Sequence, residues 1–336
     1  MAGNIEREMF PIDEGTTSAY RNAVAELGEL PCESELARVI QLDRSLPLIC
    51  TSRGNVRAEH AISIVKESDE LACVGDWVVA GFPPNHDNAV IYSVLPRRNA
   101  LRRLDSSKRS GMQTLASNVD VVIVVHPLSR NGVNIFHLER ELTLAYESDA
   151  DPVIVLSKSD IAADLERDIE RVRAVADDTP IVVESAMTGE GIDEIREFVG
   201  IGRTAVMLGK SGVGKSALVN ALLGEEVQRT GEVREVDGKG RHTTIARKML
   251  ALPGGGILID SPGLRAFSLA GASKGLSMSF PEIYELAQNC KFRDCKHDDE
   301  PGCAVRRAYE AGEIPARRYK SYRIICDEVN EPITPW

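Results

Sequence analysis

The sequence predicts a multidomain α/β protein with three parts: a small N-terminal β-barrel, a mostly parallel sheet with helices on both faces, and a helical C-terminal segment held by a metal. Three observations predict it. Short Val- and Ile-rich runs recur between Ala37 and Pro96, separated by Gly, Asn, Asp or Pro. From Val119 onward, unbroken apolar runs alternate with stretches of helical period. Near the end, Cys290, Cys295, His297 and Cys303 gather three thiols and an imidazole in one short segment. The boundaries expected from these patterns are 1–34 for an N-terminal extension, 35–112 for the barrel, 113–270 for the sheet domain and 271–336 for the metal-binding helical domain.

At 336 residues and 43% hydrophobic content the chain can build several cores. The first residues, "MAGNIEREMF", carry charge and no apolar signal segment, and no later run approaches the roughly 18 apolar residues of a membrane span. A cytoplasmic, membrane-free monomer is expected. Seven cysteines, with Cys32, Cys50, Cys73 and Cys326 scattered singly, do not lay out a disulfide framework. The net charge of −11 argues against indiscriminate nucleic-acid binding unless basic groups gather locally.

Taken in order, residues 1 to 33 contain "PIDEGTT" and an Ala/Glu-rich piece without a strong period, and read as a flexible or loosely packed extension. The runs "ARVIQLD", "LPLICTS", "NVRAEHAISIV", "GDWVVAGF" and "NAVIYSVLP" read as the five barrel strands. "VDVVIVV" is an almost continuous apolar run, as a strand buried on both sides must be, and the helix after it places Ile135, Leu138, Leu142 and Ala145 on one face. The unit repeats as "DPVIVLS", "PIVVESA" and "TAVML", each followed by a helical stretch. "GGGILIDSPGL" adds a strand from Ile257 to Asp260. Beyond Ala270, "FPEIYELAQN" reads as a helix, and the tail reads as two helices broken near Pro315.

"GKSGVGKS" matches the phosphate-cradling pattern G-x-x-x-x-G-K-[ST], follows a strand and opens a helix. Gly209, Gly212 and Gly214 let the amides turn inward, Lys215 reaches the β- and γ-phosphates, and Ser216 ligates Mg²⁺. Lys210, Ser211, Val213 and Ala217 complete the loop. The base is read by "LSKSD": the Asp160 carboxylate accepts two N–H groups that guanine offers and adenine lacks, and the Lys158 stem covers the base, with Ser157 and Ser159 beside them. In "ESAMTG", the backbone of Ser185 and Ala186 meets the guanine O6. "DSPG" supplies a γ-phosphate sensor, with Asp260 holding Mg²⁺ through water and the Gly263 amide on the phosphate.

The base-reading segment precedes the phosphate loop, the reverse of the ordinary GTP-binding order. Cutting such a domain after its phosphate sensor and joining the old ends keeps every strand in place, so the domain is circularly permuted. The chain then passes from the sensor directly into the C-terminal segment, where a γ-phosphate-dependent movement can reposition a whole domain.

The order "SKSD", "ESA", "GKSGVGKS", "GKGRHTT", "DSPGL", with a barrel before it and C-x4-C-x-H-x5-C after it, closely resembles the ribosome small-subunit-dependent GTPases, the RsgA or YjeQ family. The resemblance runs from about Ala37 to the C-terminus and implies an OB-fold barrel, a permuted P-loop GTPase and a zinc domain that dock on a maturing small (30S) ribosomal subunit. One position departs: the base-reading segment normally begins with Asn or Thr, and Ser157 keeps a hydroxyl with a shorter reach.

Leu264 stands where Ras-like enzymes carry the Gln that orients the attacking water, so another group must do so. "GRHTT" offers His242, and the resemblance gives the corresponding His that role. Either Thr243 or Thr244 closes over Mg²⁺ and the γ-phosphate. Cys290, Cys295, His297 and Cys303 form the closed ligand set of one structural Zn²⁺, with no position left for a reacting water. Arg97, Arg98, Arg102, Arg103, Lys108 and Arg109 follow the barrel, and further Lys and Arg with Phe292, Tyr309, Tyr319 and Tyr322 lie in the zinc segment, where phosphate contacts and base stacking on 16S rRNA are expected.

These readings converge on a Mg²⁺-dependent GTP hydrolase. It binds the small subunit in its GTP form, is stimulated by it, and leaves as the GDP form after hydrolysis, a late assembly checkpoint and release timer. The rivals are a GTP-gated rRNA-binding module with incidental hydrolysis and a metabolic P-loop kinase; the guanine-reading segments disfavour the kinase.

Overall fold

Asp13 accepts the Thr16 amide at 2.6 Å and so starts a helix, α1 (Glu14–Leu27), within the segment expected to be loose. In the computed structural model, which describes residues 5–43, 46–67, 71–84, 86–104, 112–176, 178–228, 247–260 and 268–330, this segment is anchored by Ile5 and Phe10, both buried. Phe10 meets Trp77 edge-on at 6.0 Å, and the Arg38 guanidinium lies 4.7 Å from the Trp77 ring. α1 packs a half-buried face, Ala19, Tyr20, Ala23, Val24 and Leu27, against the core.

The barrel comprises β1 (Ser34–Asp43), β2 (Leu46–Thr51), β3 (Gly54–His60), β4 (Trp77–Gly81) and β5 (Ala89–Val94), in the order β1-β2-β3-β5-β4 with β1 pairing back onto β4. Only the β3–β5 pairing in this ring is parallel. The run expected as one strand from Asn55 to Val65 divides: β3 stops at His60, whose Nε2 accepts the Ala72 amide at 3.1 Å, and α2 (Ile62–Glu67) follows with Ile62 and Val65 exposed. A hairpin of β6 (Ala100–Leu104) and β7 (Met112–Ser117) leads into the next domain.

That domain continues as β8 (Val121–Pro127), α3 (Ile135–Glu147), β9 (Asp151–Ser157), α4 (Leu165–Ala176), β10 (Ile181–Val183), α5 (Ile192–Val199), β11 (Thr204–Leu208), α6 (Lys215–Leu223), β12 (Arg247–Ala251) and β13 (Ile257–Asp260). The sheet order is β10-β9-β8-β11-β13-β12, parallel as expected except for β12, which the sequence does not announce. β12 also pairs with β1 of the barrel, Gln41 opposite Lys248 and Leu42 opposite Arg247, so β1–β5 and β8–β13 form one continuous sheet, with the β6–β7 hairpin apart from it. Because β8, β9, β10, β11 and β13 run the same way, the loops after their C-terminal ends share one edge, where α/β sheets bind ligands.

Among the described residues four helices follow: α7 (Ser273–Ser279), α8 (Pro281–Ala287), α9 (Ala304–Glu310) and α10 (Ala316–Asn330), with Pro315 between the last two as expected. α7 lies so close on α3 that a Cβ on Gly275 would stand 2.0 Å from the Thr143 carbonyl oxygen. Glu139 of α3 is fully buried and takes Arg318 Nη1 at 2.8 Å and Arg317 Nη1 at 3.1 Å. Among the described residues no helix is long and apolar enough to cross a membrane.

Candidate nucleotide site and metal centre

The phosphate loop leaves β11 at Gly209 and enters α6 at Lys215. Gly209 (φ +143°) must be glycine twice over, since a Cβ there would meet the Val125 carbonyl oxygen at 2.7 Å. Gly212 and Gly214 also take positive φ, turning the loop as the motif requires. Lys215 Nζ donates to the carbonyls of Gly209 and, at 2.7 Å, Lys210, so its ammonium is held against the loop itself. Ser216 and Ala217 follow on the first turn of α6, with the helix N-terminus available to an anion.

The base-reading turn is fastened to this loop. Ser157, at the end of β9, is buried and donates through Oγ to the Val213 carbonyl at 2.6 Å. Lys158, in a left-handed conformation (φ +65°), donates through Nζ to the Gly212 carbonyl at 2.9 Å. The short serine therefore reaches the loop without an amide side chain.

Asp160 is exposed and accepts the Ser185 hydroxyl at 2.7 Å. The sequence suggests a backbone role for Ser185; in the structure its side chain holds the base-reading carboxylate, and its Oγ also accepts the Met187 and Thr188 amides at 3.3 Å. Ala186 lies in the same turn, and Ser159 Oγ donates to Glu190 at 2.5 Å.

Glu184 carries no motif that marks it in the sequence. It is buried, its Oε1 has no hydrogen-bond partner among the described residues, and burial pushes its carboxyl up to about 7, against the pull of the Ala186 amide. Lys210 Nζ contacts His137 Nε2 on the first turn of α3, a second feature that separation in sequence conceals; burial and the neighbouring ammonium lower the His137 pKa.

Asp260 ends β13, one residue past the Val206–Ile259 pairing, which sets it beside the strand that delivers the phosphate loop. Burial raises its pKa, opposed by Gln228 and Lys248; a bound Mg²⁺ would reverse that preference. His242, Thr243, Thr244, Gly263, Lys108 and Arg109 lie outside the described residues.

In the C-terminal segment the ligand atoms of Cys290, Cys295, His297 and Cys303 all lie within 4.8 Å of one another. Zn–S bonds of about 2.3 Å and a Zn–N bond of about 2.0 Å in a tetrahedron give S···S near ~3.8 Å and S···N near ~3.5 Å. The observed Cys290–Cys303 Sγ separation is 3.9 Å, and His297 Nδ1 lies 3.6 and 3.5 Å from Cys290 and Cys303 Sγ. The set therefore fits a structural zinc. The amides of Ala304 and Arg306 donate to Cys290 and Cys303 sulfurs at 3.3 Å, as thiolate ligands require. Glu300 ties the loop by accepting the Asp298 and Lys296 amides, which hold its carboxyl down at about 2.

The basic residues divide. Arg97 grips buried Asp76 with Nε at 2.7 Å and Nη2 at 2.8 Å, so its guanidinium belongs to the barrel rather than to an RNA face, contrary to expectation. Arg98 pairs with Asp120 at 2.8 Å while its side chain stays mostly exposed. Arg102 is exposed on β6, and Arg103 donates to Gln113 at 2.9 Å. In the C-terminal segment Arg318 is buried between Glu139 and Glu282, Arg323 pairs with Asp298, and Tyr309 and Tyr319 stack on each other at 4.3 Å. Those groups serve the fold, while Lys291, Phe292, Arg293, Lys296, Arg307 and Lys320 stay exposed, so a smaller basic and aromatic surface is left than the sequence suggests.

A family model described as RsgA GTPase matches residues 94–270. A protein named small ribosomal subunit biogenesis GTPase RsgA from Streptomyces coelicolor is 43% identical over 319 residues, 94% of this chain and 84% of that relative. Its namesake from Streptomyces avermitilis is 44% identical over 308 residues, 90% and 82% of the two chains. Among solved structures, YjeQ from Thermotoga maritima is similar with a TM-score of 0.64 at 26% identity, covering 88% of this chain and 98% of that one. YloQ, described as a circularly permuted GTPase, gives 0.61 at 21% identity over 88% and 95%, a likeness of fold.

Proposed function

Because the chain belongs to the RsgA GTPase family, we propose that it hydrolyses GTP on the maturing small ribosomal subunit and is released by that hydrolysis, a late checkpoint in subunit assembly. The observation that carries the reading is the fastening of two distant motifs into one site: Ser157 and Lys158 of the base-reading turn hold the carbonyls of Val213 and Gly212 in the phosphate loop. Guanine recognition by Asp160 is thereby coupled to the loop that holds the phosphates.

In this mechanism Asp160, oriented by Ser185, takes the guanine N–H groups, and the Ser185–Ala186 backbone takes O6. The loop amides from Gly209 to Ala217 with Lys215 hold the phosphates. Ser216, Asp260 and Thr243 or Thr244 would hold Mg²⁺, which when bound would supply neutralisation of charge on the phosphoryl oxygens. His242 positions the attacking water, and the Gly263 amide senses the γ-phosphate. Cys290, Cys295, His297 and Cys303 would hold one zinc, which would staple the C-terminal domain (271–336). The barrel (35–112), with Arg98, Arg102, Arg103, Lys108 and Arg109, meets rRNA phosphates, and the nucleotide domain spans 113–270.

GTP turnover measured with and without purified small subunits tests the reading. Stimulation is expected, and His242→Ala should keep GTP affinity while lowering stimulated turnover by roughly 10²-fold and trapping the protein on the subunit. An unstimulated rate at saturating subunits would leave a GTP-gated RNA-binding module instead.

A further inference from the structure

The edge of the sheet opposite the nucleotide carries a groove of about 770 Å³ between the N-terminal ends of the strands and the helices α7 and α8. Val121 and Asp151 begin β8 and β9 there, whereas the nucleotide loops follow the strands' other ends. This volume is within the range of about 300–1,000 Å³ that accommodates a small ligand or a few side chains. Its wall is apolar and partly bare: Tyr146 and Phe198 come from the sheet domain, Met278 and Tyr284 from the C-terminal helices, and the last two are 44% and 55% exposed. Large apolar groups left in water around one depression mark a surface that something covers.

The rim decides what covers it. Asp178 and Glu285 are exposed on opposite sides of the groove, and among the described residues neither has an ion-pair partner. The guanidinium lining it, Arg203, is engaged by Asp151. The net field at the mouth is therefore negative. A nucleic-acid backbone is repelled by such a rim, while an extended peptide with a Lys or Arg beside an apolar side chain satisfies both wall and rim.

We propose that this groove docks a short basic segment of a small-subunit protein, giving the chain a protein contact distinct from the rRNA contacts of its barrel. The inference rests on the small-subunit reading above. Since the groove is walled by both the sheet domain and α7–α8, an occupant would fix the C-terminal helices against the sheet.

The test places a photo-crosslinking side chain at Met278 of the full-length protein, binds it with a GTP analogue to purified small subunits, and maps the products after irradiation. The expected product is a cross-link to a ribosomal protein, at a peptide with Lys or Arg within a few residues of the attachment point. Reversing the rim with D178K and E285K together should lower the yield about fivefold or more, the reach of two exposed charge pairs. Y284A should lower it about tenfold, as removal of an aromatic anchor does. Both variants should bind nucleotide as the parent does.

Cross-links to rRNA or to a second copy of the chain, no cross-link despite co-sedimentation, or a yield unchanged by charge reversal would each overturn the proposal. Loss of co-sedimentation by the unlabelled protein would instead overturn the small-subunit reading and this inference with it.

Discussion

Replacing Ser157 by Ala removes one oxygen and tests whether the base-reading turn and the phosphate loop act as a unit. The Oγ–Val213 hydrogen bond is 2.6 Å long, comes from a buried side chain, and has a weaker second acceptor in the His126 carbonyl at 3.4 Å. Leaving a buried carbonyl without its donor costs about 1–3 kcal/mol. If about 1.4 kcal/mol of that cost falls on the nucleotide-ready loop, GTP binding weakens about tenfold. GDP should weaken equally, because the loop holds the β-phosphate common to both. Titration of a fluorescent GTP analogue at fixed Mg²⁺ reads the change, with Ser157→Thr as a control that keeps the hydroxyl and should stay within about threefold. An Ala variant that binds GTP within about twofold of the parent would show that Lys158 alone suffices to join the segments.

Asp160→Asn exchanges an acceptor for a donor at the base and should shift preference from guanine toward xanthine nucleotides by orders of magnitude, up to roughly 10⁴-fold; competition assays with GTP, XTP and ATP decide it, and equal ATP competition in the parent would refute guanine reading. Cys295→Ser or a strong chelator should lower the melting of the C-terminal helices while leaving nucleotide affinity within about twofold, since zinc binding is worth about 10–16 kcal/mol to such a site; metal analysis that finds no zinc in folded protein ends that proposal. Glu184, pushed up from 4.5 to about 7, keeps its proton in the fold at a pH where the unfolded chain has lost it. The contribution of Glu184 to stability should therefore be fully present below about pH 4.5 and be lost as pH rises through about 7, by at most ~3 kcal/mol; urea midpoints at about pH 5.5 and pH 8 should differ less in Glu184→Gln, and an identical difference would remove Glu184 as the cause. Arg102 and Arg103 replaced together should flatten the salt dependence of subunit binding by about one log unit for each phosphate they neutralise, whereas an unchanged slope returns them to a solvated face.

What is legible in the sequence is local. The phosphate loop, the Cys/His set and the alternation of buried runs each declare themselves within a few residues, because their chemistry depends on short fixed spacings. The role of Ser157 is hidden since its acceptor, Val213, is 56 residues away. Arg97 and Arg318 look like free cations for the same reason: Asp76 and Glu139, which claim them, belong to other elements. β12 is hard to see because it is short and begins with Arg247 and Lys248, whose charges mask a strand that is apolar only from Met249 onward. α1 is equally obscure, because the half-buried face it packs on the core is made mostly of small side chains, Ala19, Ala23 and Val24 beside Tyr20 and Leu27, a weak apolar signal.

Those same two charges shape how separable the barrel is. Among the described residues the ladder between β1 and β12 is two residue pairs long, and its β12 side is Arg247 and Lys248. Opening it would forfeit only a few backbone hydrogen bonds, each worth about 1 kcal/mol net. The edge left behind would be short and cationic, the kind that resists pairing with a neighbouring molecule. The ladder therefore adds little to the hold on the barrel, which comes instead from a shared apolar core and from Ser117 and Asn118, whose side chains donate to Asp76 and to the Gly75 carbonyl across the join.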